Sequence, residues 1–510
     1  MSKKVAIYWP GEYVSAPNEL ARPQVEESTR QMEKALRHLG LDPYRVEGFI
    51  DRPHKGIEKL GHIDDPMIGI YCHWVWGSHI VDGVAGKDSP LLLASNFNRQ
   101  WPGLVGMLNS CACFDAVNRP YSRIWTEAPD WSENDLFMSR LEEWTTTGRI
   151  RYPENDLGFS AAISPEAHAT AMEVAREIRR RRIMIMMLGD TSQGMINGYF
   201  GTRLLTRYGF TENKIDQAWV LEWGQKIAEE RIDQALQFVQ DKGITFHWQE
   251  EALDCSDFTK EQSREQLRDY LAVLDMINEF KADCLGWQFQ LGLLGLRPAS
   301  DLAEGLFNST CRPEGNGDTI VCATEADQGN VIPAELLKRL LKQKDLNPSV
   351  FMHDTRWAGE HEGRTVWMLC NSGNSGAYAY NKDPDSLEGV HSYRQVRRKF
   401  GLGGGTFAGL GIPGEITWAR TFLRNDELWM DIGRGEIVDL PEDKRNEWWN
   451  GATPQWPLLP AYLGVERDTI MAHYMSNHIA LCYGDVFEEM VALAQEMGFK
   501  VRIFGQKANG

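Results

Sequence analysis

Apolar residues recur along this chain in two textures. Short runs at 5–9, 67–74, 91–95 and 122–125 read as strands, and 24–39 and 103–117, with apolar positions at helical spacing, read as helices between them. Strands that alternate with helices predict a βα series around a parallel sheet. A helix is expected over 164–182, where Ser164 takes the N-cap and Pro165 the first helical position, and a second series begins after it at 183. The closing run of this helix, Arg179-Arg180-Arg181-Arg182, suits a last turn better than a phosphate site. Strands are expected at 183–188, 214–223 and 284–290, with helices at 225–242, 260–279 and 300–306.

The stretch 318–356 carries the most chemistry. An apolar run at 320–324 ends in Glu325 and Asp327. A helix over 331–343 follows, with Leu336, Leu337, Leu340 and Leu341 on one face. A run at 349–352 then ends in His353, Asp354 and Arg356. A strand–helix–strand crossover this short predicts parallel pairing, with Glu325 and Asp354 emerging side by side at one sheet edge, where α/β sheets bind ligands. They are either a metal or acid/base pair, or solvent-facing residues and caps for the next helix. Beyond Asp354 the runs 364–370, 376–380, 414–423 and 427–432 are short, β-rich and punctuated by Gly, Asn and Asp. They predict an antiparallel sheet or barrel, closed by a helix over 486–497.

Composition narrows the function. With 510 residues the chain exceeds one core, and about three domains are expected. Its 72 acidic against 54 basic residues, a net charge of -18, disfavour a nucleic-acid surface and suit an enzyme or binding protein. No apolar run is long enough to span a bilayer, and a strand-like run from Val5 leaves no room for a signal peptide, so a cytoplasmic chain is expected. Nine scattered cysteines without a CxxC pair read as reduced core thiols. Two loops after strands, 73–77 (HWVWG) and 96–101 (NFNRQW), have the aromatic and amide composition of a polyol-binding edge, or pack their tryptophans inside. The loop GDTSQGMING after 188 matches no nucleotide fingerprint. The run GLGGGTFAGLG at 401–411 lacks the βαβ context of one and reads as turns with close backbone approaches. His473 and His478, five apart, miss the spacing of a helical zinc pair.

Several segments together resemble the L-fucose isomerase family, with more distant similarity to L-arabinose isomerases. They are WPGLVGML at 101–108, SQGMINGYFG at 192–201, WQFQ at 287–290, ATEADQGN at 323–330, HDTRW at 353–357, NSG at 371–373, GGG at 403–405 and MAHYMSNH at 471–478. They follow the family's order across nearly the whole chain. The resemblance implies two Rossmann-like βαβ domains, 1–170 and 171–353, followed by a β-rich barrel-like C-terminal domain, 354–510. It implies Mn²⁺, or another divalent cation, held by Glu325, Asp354 and His478. It also implies a homo-oligomer, hexamer or trimer, with active sites at subunit interfaces. Together with the loop chemistry it marks Gln288, Trp9, Asn96, Thr406, Trp456, His473 and Asn477 as substrate-binding. The chain departs from the family at Tyr8-Trp9-Pro10, where an IRP motif is usual, and at Gly295, Thr406 and His473. The three metal-site residues are kept while the pocket differs, which leaves the sugar open.

The chemistry implied is aldose–ketose interconversion through an ene-diol. Glu325 and Asp354 would serve as both metal ligands and acid/base pair, and His478 as a ligand only. An epimerase on the same scaffold and a non-catalytic sugar-binding protein are the alternatives. The expected partner is a small sugar, with neither nucleic acid nor membrane.

Overall fold

Runs of Val, Ile and Leu without polar alternation suit strands buried on both faces, and the first sheet is built from such runs. The computed structural model describes residues 3–97, 99, 103–191, 194–371, 373–450 and 453–505. Strands β1 (Lys4–Pro10), β2 (Asp42–Ile50), β3 (Met67–Tyr71), β4 (Leu91–Asn96) and β5 (Ser122–Thr126) pair in parallel in the order β2-β1-β3-β4-β5. The edge strand β2 carries no apolar run. Between Pro43 and Phe49 none of its positions is buried, so hydrophobic pattern alone passes it over. After β5 the short β6 (Leu157–Gly158) leaves this sheet and pairs with the last strand of the chain.

A second parallel sheet holds β7 (Ile183–Leu188) and β8 (Phe210–Ile215). Following the short β9 (Thr245–Phe246), it adds β10 (Cys284–Trp287) and β11 (Cys322–Thr324), in the order β11-β10-β7-β8. The expected strand over 214–223 stops at Ile215. Asp216 accepts from the backbone N–H of Ala218 at 2.8 Å and starts the helix Ala218–Gly224 instead. Ser164 caps the helix Pro165–Arg181 as expected, and Arg179 at its end pairs with Glu496 at 2.5 Å.

The third sheet takes β12 (Phe351–His361), β13 (Arg364–Leu369), β15 (Gly414–Arg424), β16 (Glu427–Ile437), β17 (Leu459–Tyr462), β18 (His478–Tyr483) and β19 (Lys500–Phe504). The short β14 (His391–Ser392) pairs with β9 outside it. The strand order is β15-β18-β12-β13-β17-β16-β19-β6, and a β15–β16 ladder joins β15 back to β16, so six strands form a closed ring of pairings. The segment expected as a strand at 376–380 is the single helical turn Tyr378–Asn381. At 401–411 the glycines do bring backbones together: Gly404 has φ +94°, and a Cβ there would lie 2.7 Å from the Ala299 nitrogen.

One expectation fails in an informative way. β11 and β12 do not pair in parallel; they belong to different sheets. Asn374 lies between them, its side-chain oxygen accepting from the Thr324 N–H at 2.8 Å and its carbonyl from the Met352 N–H at 3.0 Å. The residues that follow β13 therefore wedge the two strands apart. β12 instead pairs antiparallel with β13, the strand that follows it in a tight hairpin, and with β18, distant in sequence. Among the described residues, no helix is long and apolar enough to cross a membrane.

Candidate active site

The β12–β18 ladder puts Asp354 directly opposite His478. Residues paired across an antiparallel ladder project to the same face with Cβ atoms about 5 Å apart. The register alone therefore makes these two side chains neighbours: Asp354 Oδ1 lies 3.3 Å from His478 Nε2. Glu325 arrives from the end of β11, its Oε2 3.7 Å from the same nitrogen. To turn into the site the chain adopts left-handed backbone at two consecutive non-glycine residues, Glu325 (φ +60°) and Ala326 (φ +53°). Strain of this kind concentrates at functional sites.

Asp327 completes the arrangement. One carboxylate oxygen accepts from the Gly329 N–H at 2.9 Å and caps the helix Gln328–Gln343. The other lies 2.7 Å from His478 Nδ1 and accepts from Arg420 at 2.5 Å. A carboxylate on Nδ1 fixes the proton there and turns the lone pair of Nε2 toward Glu325 and Asp354. Gly329 allows the close approach, since a Cβ at that position would lie 2.4 Å from an Arg420 guanidinium nitrogen. Asn477 donates to Asp354 Oδ1 at 3.0 Å, and Asn371 Nδ2 lies 3.3 Å from His478 Nε2.

Electrostatics follow from burial. Desolvation pushes Glu325 and Asp354 above the ordinary carboxylate range, against the pull of His478. Burial also pushes Asp327 up, but the charge of Arg420 and the bond to His478 override it and hold this carboxyl down at about 2. Burial disfavours the imidazolium of His478; the Asp327 bond and the surrounding carboxylates outweigh it and raise the ring above its usual value. Among the described residues, no three His, Cys, Asp or Glu side chains surround a common point as metal ligands do. The donor chemistry nevertheless fits a hard divalent ion: two buried carboxylates and an imidazole nitrogen whose partner nitrogen is held by a carboxylate.

Beside this group lies an acid that motif reading missed. Glu304 is buried and accepts from Ser300 at 2.5 Å; desolvation first, and the charge of Asp301 second, push its carboxyl from 4.5 up to about 8. The folded chain thus holds a proton that the unfolded chain has released between those values. The stability this contributes is full below 4.5 and is lost as pH rises through about 8. Urea denaturation at about pH 6 and about pH 9 is expected to show stability falling across this range. Glu304→Gln should flatten the fall by on the order of a few kcal/mol; equal pH slopes in both proteins would refute the assignment.

The remaining expected site residues fall in several places. Asn477 is in the cluster. Trp456 donates to Gln395 at 2.7 Å, which donates to Asp301 at 2.6 Å, and its ring lies 5.7 Å from the Arg356 guanidinium. Gln288 stands at the carboxyl end of β10 with its amide tied to Gln217, Asp190 and Thr191. Thr406 is buried and its hydroxyl accepts from the Tyr393 N–H, a packing role. His473 turns its ring to the Pro153 carbonyl at 2.8 Å, not to the cluster. Trp9 donates to Thr29 at 2.8 Å within the N-terminal core. Asn96, at the end of β4, is buried with neither amide atom hydrogen-bonded among the described residues. In the first aromatic loop, His73 Nε2 lies 2.8 Å from Asn18 Oδ1, and Trp76 donates to Glu12 at 2.9 Å. Asn98, Gln100 and Trp101 of the second loop, Ser192 and Gln193 of the glycine-rich loop, Pro102 and Ser372 lie outside the described residues.

Fold and site define a mixed α/β protein with two parallel sheets and a β-rich sheet, holding a buried carboxylate–imidazole cluster where a parallel sheet meets the strand ring. Residues 369–504 match the L-fucose isomerase C-terminal domain, so this part of the chain is similar to that family. The matched segment contains Asn371, Arg420, Asn477 and His478; Glu325 and Asp354 precede it. No curated protein matches the chain.

Proposed function

We propose that the protein is an aldose–ketose isomerase acting on a sugar of the L-fucose or D-arabinose type. The observation that carries this reading is the convergence of Glu325 and Asp354 on one nitrogen of His478 while Asp327 holds the other. The family match over 369–504 supports it. Isomerisation moves a proton from C2 to C1 and another from O2 to O1, through an ene-diol. Glu325 and Asp354 are the acid/base pair, and burial raises their basicity toward that task. Asn477 orients Asp354, and Asp327 keeps His478 in a single tautomer. Mn²⁺ or another divalent cation would be held by Glu325, Asp354 and His478 Nε2. Bound there, it supplies positive charge to offset the negative charge that builds on the sugar oxygens.

We read the two parallel sheets as Rossmann-like domains, 1–170 and 171–353, and the closed strand ring as the barrel-like core of 354–510. Trp456, with Gln288, is assigned to the sugar-binding wall. The edge carrying Trp9 and Asn96 is assigned to a neighbouring subunit's site in a homo-oligomer, trimer or hexamer. The buried amide of Asn96, with neither atom hydrogen-bonded among the described residues, supports a ligand-facing role.

The test is product analysis with metal-stripped protein and L-fucose, D-arabinose, L-arabinose and L-rhamnose, with and without added Mn²⁺. Ketose that forms only with Mn²⁺ is the expected result. An aldose product would make the protein an epimerase, and sugar binding indifferent to metal, without turnover, would make it a binding protein.

A further inference from the structure

A cavity of about 770 Å³ is walled by segments of the first sheet's unit and of the strand ring, and none of Glu325, Asp354 or His478 lines it. Its wall inverts the charge of the chain. Arg119, Arg123, Arg149, Arg151, Arg424 and Arg502 face it against only Asp115 and Glu154, in a protein of net charge -18. Not all six are available. Arg502 is held bidentately by Asp431 at 2.7 Å through both nitrogens. Arg424 lies 3.8 Å from Asp115, a loose pair.

The other four carry the inference. Arg123 is buried and donates to the carbonyls of Met471 and Tyr474, at 3.1 and 2.8 Å, and to the Tyr121 hydroxyl at 3.2 Å. Arg119, also buried, donates to the carbonyls of Val84, Pro120 and Ser89. Among the described residues neither has a carboxylate within ion-pair distance. Neutral carbonyls satisfy these guanidinium donors, and the nearest acids, Asp115 for Arg123 and Asp88 for Arg119, act on them only through longer-range charge. Arg149 and Arg151 are exposed at the rim, and among the described residues their side chains form no ion pair. The planar guanidiniums of Arg149 and Arg151, at the rim of this concave wall, are suited to bidentate capture of phosphate oxygens, with Arg119 and Arg123 adding positive charge behind them. Trp429 adds an aromatic surface for the organic part of a ligand, and the volume is that of a small-molecule site.

We propose that this cavity binds a small organic phosphate, whose negative charge offsets the excess of arginine over acid in its wall and is met at the rim by Arg149 and Arg151. The inference concerns a site separate from the isomerase centre and does not depend on the isomerase reading. Isothermal titration of the full chain with glucose 6-phosphate and with pyrophosphate, at about 0.15 M salt to suppress loose surface attraction, is the test. Saturable binding of at least one probe is expected, at one site per chain. R149A/R151A should weaken it about tenfold or more, with unchanged circular dichroism and melting of the unligated variant, since both side chains are exposed. Absence of saturable binding with both probes at millimolar concentration would overturn the proposal, as would equal affinity in the variant. If R149E/R151E dissociated an oligomer, and neither probe bound the wild type, the surface would be a subunit contact and the proposal would fail.

Discussion

Glu325→Gln is expected to lower turnover by about 10²–10⁴-fold, the range that one positioned acid/base group supplies, and to weaken Mn²⁺ binding in the same protein. The change keeps volume and hydrogen-bonding shape while removing a charge that burial opposes, so stability should be unchanged or raised. Steady-state assays on whichever aldose proves active, Mn²⁺ titration and urea denaturation together check it. Activity within about threefold of wild type would remove Glu325 from the acid/base pair. Unfolding of the variant would instead show that its charge is structural. The strained backbone at Glu325 and Ala326 makes the loss of turnover the expected result, since left-handed strain at consecutive non-glycine residues concentrates at functional sites.

The second large effect concerns stability. Arg420 and Asp327 form an ion pair at 2.5 Å with both side chains fully buried. Removing one partner strands the other: Arg420→Met should cost about 3–5 kcal/mol, because Asp327 would keep its charge with only His478 to answer it. Asp327→Asn on the Arg420→Met background should recover part of the loss, since the neutral pair no longer buries an unmatched charge. Denaturation midpoints of the two variants and wild type give the comparison. A cost below about 1 kcal/mol for Arg420→Met would mean that water or local rearrangement compensates Asp327. Because Asp327 also sets the tautomer of His478, the double variant should remain impaired in catalysis even where its stability returns.

The residues behind these expectations were legible to different degrees. Glu325 and Asp354 stood out as acids that follow apolar runs, and His478 only through the resemblance of its segment to a known family. Asp327 was visible in the same motif, but its double service as helix cap and imidazole partner was not, since that depends on where His478 arrives. Arg420 left a signal that could have been used. From 416 to 422 β15 has no exposed position, and an arginine inside such a run requires a buried acid. Glu304 left none, because its raised carboxyl comes from packing against Ser300 and Asp301 in a helix of ordinary composition.

Local pattern determined the two βα series, the caps at Ser164 and Asp327, the β-rich texture after Asp354 and the pair of acids at strand ends, because these follow from hydrophobic period and short-range hydrogen bonding. Tertiary structure decided which strands pair. Asn374 keeps β11 from β12, and β18, more than a hundred residues downstream, takes the place beside Asp354. Strand pairing at that separation rests on side chains that meet only after the chain has closed on itself. The acids were therefore readable from the chain, while the ladder that sets Asp354 against His478 was not.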